Sequence, residues 1–110
     1  YGGIRYFKAG TVELFTSRQS TTSRRGLGFD RWDPNASTPY PSTLATPETF
    51  GHTGYTGTCV WADAKNDLIY IFLSNRVYPE LSDKLSNLRI RPRIQDVIYK
   101  ALAKSSTSQQ

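Results

Sequence analysis

Methionine is absent from the 110 residues, and cysteine and histidine occur once each, as Cys59 and His52. A lone cysteine closes no internal disulfide, and one histidine with one cysteine falls short of any zinc-ligand set, so neither a metal nor any other cofactor is expected. No apolar run approaches the roughly 20 residues that cross a bilayer, so no membrane span is expected. Acidic residues are also few: 14 Lys and Arg against 9 Asp and Glu leave a formal charge of +5. Nucleic-acid binding would need those cations in a stripe interleaved with aromatics. Only Arg24-Arg25 and Arg89-x-Arg91-x-Arg93 concentrate charge, and both read as solvated surface, so nucleic acid is not an expected partner. With no initiator residue, the start at Tyr1-Gly2-Gly3 suggests a piece processed or excised from something longer, and an export signal would then lie upstream.

What is present suffices for one modest core, since 37% of the residues are apolar and 13% aromatic. Gly10–Thr16 reads as a short helix capped by Thr11, with Val12, Leu14 and Phe15 as its apolar positions. Ser17–Ser23 is a polar loop, and Gly26–Asp30 is expected to be a brief strand whose glycines permit close backbone approach. Asp33–Pro47 holds four of the six prolines and should form an irregular loop rimming a cleft.

Thr58–Ala62 and Leu68–Leu73 are β-branched and aromatic runs joined by the turn-forming Asp63-Ala64-Lys65-Asn66-Asp67, which predicts a β-hairpin. The second run is almost continuously apolar, which suits a central strand covered on both faces. One cover is a C-terminal helix with Pro92 at its first position and a docking stripe of Ile94, Val97, Ile98, Ala101 and Leu102. Residues 105–110 should form a flexible tail. The other sheet face lacks an evident cover, so residues 1–110 read as a single incomplete α+β domain. A chain with such an open face and strand edge is expected to associate, a homodimer being the simplest outcome.

The richest segment is Phe50-Gly51-His52-Thr53-Gly54-Tyr55-Thr56-Gly57-Thr58, directly before the hairpin. An isolated histidine is more often a hydrogen-bonded structural residue than a catalytic one, and Cys59, Trp61, Tyr70 and Phe72 read as packing residues. The setting lifts this one above that reading. His-Thr-Gly on a strand, a turn, an antiparallel hairpin ending in Ser74-Asn75-Arg76 and a basic amphipathic terminal helix together resemble the C-terminal part of the serine β-lactamase and penicillin-binding-protein-like family, nearest its class C-like esterase branch. In that branch His commonly replaces the Lys of the Lys-Thr-Gly box.

The resemblance implies a fragment of the β-lactamase/transpeptidase-like fold, an antiparallel sheet with the C-terminal helix packed on one face. It implies a hydrolase working through an acyl-enzyme on β-lactams, D-amino-acid peptides of the peptidoglycan type or small esters, in a periplasmic or otherwise exported setting. His52 would face the nucleophile, the Tyr55 backbone N–H would complete an oxyanion hole, Thr53 would bind substrate through its hydroxyl, and Gly54 would leave clearance for the substrate backbone. A histidine with an unperturbed pKa of about 6.5 would make the local charge pH-dependent and relax selection for carboxylate-bearing β-lactams.

The departures weigh equally. None of Lys8, Lys65, Lys84, Lys100 and Lys104 follows a serine by three residues, and neither Tyr-x-Asn nor Ser-x-Asn occurs. The nucleophile and base are therefore expected from an upstream part of the same protein, and this fragment alone should be inert. The alternative is a catalytically dead binding or scaffold module of the same fold, attached to a glycoside hydrolase.

Overall fold

A computed structural model describes residues 1–33 and 35–107, with side chains described as far as 105. One long proline-rich loop, one glycine-punctuated turn and one acidic turn fold the middle of the chain into a four-stranded antiparallel sheet. Its strands are β1 (Asp30–Arg31), β2 (Phe50–Thr53), β3 (Cys59–Asp63) and β4 (Leu68–Phe72), in the order β1-β2-β3-β4. Helix α1 (Ala9–Thr16) precedes the sheet, and α2 (Lys84–Asn87) and α3 (Ile90–Thr107) follow it. The architecture is α+β, with the C-terminal helix packed on one sheet face.

The predicted β3–β4 hairpin forms because Asp63 organises its own turn. The Asp63 carboxylate accepts the Lys65 amide at 3.1 Å and Asn66 Nδ2 at 3.0 Å, and Asp67 takes the left-handed conformation (φ 48) that closes the loop. Side chains then alternate. Cys59, Trp61 and Tyr70 face α3 and form the core, with Tyr40, Phe72 and Ile98 packed around them. Tyr40 meets Trp61 edge-to-face at 5.2 Å.

Strand β4 departs from expectation. It is an edge strand of this sheet, not a doubly covered central one, and Ile69 and Ile71 are 69% and 63% exposed. Its apolar run is continuous because Tyr70 serves the α3 face while the isoleucines serve a face with no cover among the described residues.

Helix α3 is also turned from the predicted orientation. Of the expected stripe only Ile98 packs on the core, while Val97 is 64% exposed and Ile94, Ala101 and Leu102 also lie outward. The inward positions are Gln95 and Tyr99, a rotation of about 100°, one residue's worth. Polar anchors set that rotation: the Tyr99 hydroxyl donates to Asp63 Oδ2 at 2.6 Å, and the Tyr70 hydroxyl donates to the Arg91 carbonyl at 3.2 Å. A buried phenol must find an acceptor, and that requirement overrides the best hydrophobic stripe. Pro92 is the third residue of the helix, where its missing N–H is still one of the unpaired first-turn donors. The helix continues past Lys104 to Thr107, so residues 105–107 of the expected tail are helical and 108–110 lie outside the described residues.

Two smaller expectations are corrected. Lys8, not Thr11, precedes the first turn of α1, and no residue of that helix is buried. Gly26–Phe29 is a turn, not a strand: Arg25 bridges Asp30 across it, Gly26 N–H donates to the Phe29 carbonyl at 2.9 Å, and Gly28 has φ 83. Gly26 is also packed against chain, since a Cβ there would stand 2.7 Å from the Ser17 carbonyl. The 33–47 loop is irregular where described, pinned by an Asp33–Tyr40 bridge and by Asp96 accepting from the Thr43 amide (2.9 Å) and hydroxyl (2.7 Å).

Candidate functional site

Strand β2 carries the site, and its register decides where each side chain goes. Gly51 pairs with Trp61 and Thr53 with Cys59, so both lie on the α3 face; Phe50 and His52 pair with Ala62 and Val60 and lie on the uncovered face. His52 and Thr53 therefore point to opposite sides of the sheet. Both border a free strand edge, because β1 pairs with Phe50 and Gly51 only.

Gly51 is the tightest point of the strand and was not singled out from sequence. A Cβ there would collide with the Val60 carbonyl and stand 2.7 Å from the Trp61 ring and 2.8 Å from Trp61 Cα. The Val60 carbonyl and Trp61 Cα are backbone and cannot rotate away. Gly51→Ala is expected to cost about 3 kcal/mol by overpacking, read as a fall in the urea midpoint.

His52 is held at both ring nitrogens. Nδ1 lies 2.7 Å from the Thr53 carbonyl and must carry the proton; Nε2 lies 2.6 Å from Arg25 Nη1 and must accept. Arg25 Nε in turn sits 2.9 Å from Asp30 Oδ1. Asp30 is buried, with Arg24 Nε 3.5 Å from its other oxygen, which also accepts the Tyr40 hydroxyl at 2.7 Å. Burial and the Asp30 carboxylate push the Tyr40 phenol well above its ordinary pKa, so it stays protonated. The Thr53 hydroxyl lies beside that phenol, and Thr53 lines a cavity of about 100 Å³ with Tyr40, Trp61, Arg91 and Pro92.

Gly54–Gly57 is a β-turn closed by Gly57 N–H to the Gly54 carbonyl at 3.1 Å, with Gly54 N–H donating to the Thr58 carbonyl at 2.8 Å. A Cβ at Gly54 would meet the Thr58 hydroxyl, so the clearance at that glycine is taken by the facing side chain of its own hairpin. Tyr55 is the first central residue of the turn. Its N–H lies beyond the β2–β3 ladder and takes no part in the turn's hydrogen bonds, while its ring is 71% exposed.

Three side chains grip this turn from behind. Arg76 Nε donates to the Tyr55 carbonyl at 2.6 Å, its guanidinium lies 4.7 Å over the Tyr55 ring, and its amide donates to the Thr56 carbonyl at 2.9 Å. Ser74 donates to the Gly57 carbonyl at 2.9 Å, and Arg91 Nη1 donates to the Thr58 carbonyl at 3.0 Å. Sequence reading passed over all three roles. Arg25 and Arg91 belong to runs that looked like solvated surface, and only the Ser-Asn-Arg ending at 74–76 offered any signal.

The remaining chemistry is limited. Burial raises the Cys59 thiol above its ordinary pKa, which suits a packing residue. Among the described residues no three His, Cys, Asp or Glu side chains converge as a metal site, and no helix is long and apolar enough to cross a membrane. What the arrangement offers is an amide with no hydrogen-bond partner among the described residues, on a braced turn beside an open strand edge bordered by an imidazole and a hydroxyl. Such a wall can orient an extended acyl substrate and donate to a developing oxyanion.

The Beta-lactamase family profile matches residues 4–93. A protein of Escherichia coli (strain K12) named "Putative D-alanyl-D-alanine carboxypeptidase" is 40% identical over 88 residues, covering 79% of this chain and 20% of that protein. A Salmonella newport (strain SL254) protein of the same name is 37% identical over 95 residues, covering 86% of this chain and 21% of its own length. The chain thus spans about a fifth of the length of these relatives. No solved structure gives a significant match.

Proposed function

We propose, from the premise that the chain belongs to the Beta-lactamase family, that it is the C-terminal wall of the active site of a serine hydrolase acting through an acyl-enzyme. The substrate class is a D-amino-acid peptide of the peptidoglycan type, a β-lactam or a small ester, in an exported protein. The observation that carries this reading is the Tyr55 amide, left unengaged on a turn whose neighbouring carbonyls are all held.

An upstream segment of the same protein supplies the serine and its base. The substrate lies along the free edge of β2, between His52 and Thr53. The serine oxygen forms a bond to the acyl carbon as the base takes its proton, and the carbonyl π electrons move onto oxygen. The Tyr55 N–H, together with the nucleophile's own amide, stabilises that oxyanion. Collapse restores the carbonyl, expels the protonated amine or alcohol and leaves the ester that water later hydrolyses.

The full-length protein incubated with a β-lactam, whose ring amine stays tethered to the acyl group when the ring opens, is expected to gain the mass of one whole β-lactam, and to lose that gain when the upstream serine is changed to alanine. An intact protein that carries Ser-x-x-Lys yet gains no mass would defeat the proposal.

A further inference from the structure

We infer that Arg76, which lies outside both the His-Thr-Gly strand and the turn after it, is a positioning residue: it pins Tyr55 so that the N–H is aimed before any charge develops on the substrate. The inference rests on the serine-hydrolase reading above and deepens it by one residue.

The turn needs such a hold. A donor stabilises an oxyanion in full only if it is already in place when the charge appears. Gly54–Gly57 has a glycine at each end, the second at φ 106, and it closes on one hydrogen bond of 3.1 Å, from Gly57 N–H to the Gly54 carbonyl. That bond fixes the front of the Gly54–Tyr55 peptide, the one that carries the N–H. Nothing within the turn fixes its rear, at Tyr55 itself.

Arg76 supplies that rear hold. Its Nε donates to the Tyr55 carbonyl at 2.6 Å, and its guanidinium lies 4.7 Å over the Tyr55 ring. Its own amide donates to the Thr56 carbonyl at 2.9 Å. The other two braces reach different residues, Ser74 the carbonyl of Gly57 and Arg91 that of Thr58. Of the three, only Arg76 touches the residue whose N–H the mechanism uses.

Arg76 is in turn anchored. Its side chain is only 15% exposed, and Nη1 donates to Asp83 Oδ1 at 3.2 Å and to the Ser82 carbonyl at 3.3 Å. The Arg76 carbonyl accepts the Ser82 amide at 2.8 Å. Because a guanidinium is rigid and planar, holding Nη1 at residues 82 and 83 also fixes the direction of Nε toward Tyr55. A lysine, with a single terminal nitrogen on a flexible stem, cannot serve both ends.

The test uses the full-length protein with a phenyl ester and the matching thionoester, in which sulfur replaces the carbonyl oxygen. Sulfur is a weak hydrogen-bond acceptor, so the ratio of the two rates reports how well the oxyanion donors are aimed. Arg76→Gln is expected to lower kcat on the oxygen ester about tenfold to a hundredfold, with KM nearly unchanged and the thionoester rate little affected, so the ratio falls by the same factor. Arg76→Lys should lose most of the ratio as well, and it carries the test should Arg76→Gln not fold. A merely structural role would remove active molecules and lower both rates alike. An unchanged ratio in a folded Arg76→Gln or Arg76→Lys would therefore overturn the inference while leaving the hydrolase reading intact. A wild type that turns over neither ester and gains no β-lactam mass would instead defeat that reading, and the inference with it.

Discussion

Tyr55→Pro in the full-length protein is expected to lower kcat by about 10²–10³-fold, some 3–4 kcal/mol, with little change in KM. Proline removes the one group the proposed mechanism requires of this residue, its N–H, at the first central position of a β-turn, where proline's fixed φ is favoured. The turn should survive, because Gly57 to Gly54, Arg76 to Tyr55 and Arg91 to Thr58 all use atoms that proline leaves in place. Tyr55→Phe retains the amide and the ring beneath Arg76, and should run near the wild-type rate. Steady-state kinetics on an ester or β-lactam reads both variants. A proline variant at full speed with an unchanged melting curve would take the Tyr55 amide out of the mechanism.

The largest effect on stability is expected at Asp63. Its carboxylate is buried and accepts from Thr46 (2.7 Å), Tyr99 (2.6 Å), the Lys65 amide (3.1 Å) and Asn66 (3.0 Å), which ties the hairpin turn, the loop before β2 and α3 to one point. Burial by itself would raise this carboxyl, but the hydrogen bonds from Tyr99, Thr46 and Asn66 outweigh it and hold it down at about 2, against 3.8 for a free side chain. Burial and the same carboxylate push the Tyr99 phenol up to about 12. Asp63→Ala would strand the buried Tyr99 hydroxyl and the half-buried Thr46 hydroxyl and should cost about 3 kcal/mol.

The depressed carboxyl also sets a pH window. Its stabilisation, about 2 kcal/mol by linkage, is present in full above pH 3.8 and is lost as the pH falls from there toward 2. Thermal unfolding followed from pH 7 to pH 2 should show that loss in the wild type and a flatter profile in Asp63→Asn. Equal acid slopes in the two proteins would assign the acid sensitivity to other carboxylates.

Periodicity and turn chemistry placed the β3–β4 hairpin, the irregular proline-rich loop, the terminal helix and the His-Thr-Gly strand close to where they lie, because each is decided within a few residues. Asp63 and Asp67 close their turn with their own atoms, and Gly57 supplies the φ of 106 that the neighbouring turn needs. The candidate site was visible in the same way, as a histidine, a hydroxyl and an amide within four residues, at His52, Thr53 and Tyr55. What local patterning missed was every long-range partner: Arg25 on His52, Arg76 on Tyr55, Arg91 on the turn and Tyr99 on Asp63. Those pairs join residues 21 to 36 positions apart, and an arginine destined for a carbonyl or an imidazole looks in sequence like any solvated cation.

The rotation of α3 was missed for a related reason, since the stripe with the best apolar spacing lost to the helix face that carries Tyr99, whose hydroxyl reaches Asp63. From the chain of residues alone come the resemblance to the family, the α+β class, the strand that carries the candidate site and the order of the groups on it, all consequences of local pattern. Packing alone settled which face of β2 each group occupies and which side chains brace the turn after it, because each of these depends on a contact between segments far apart in the chain.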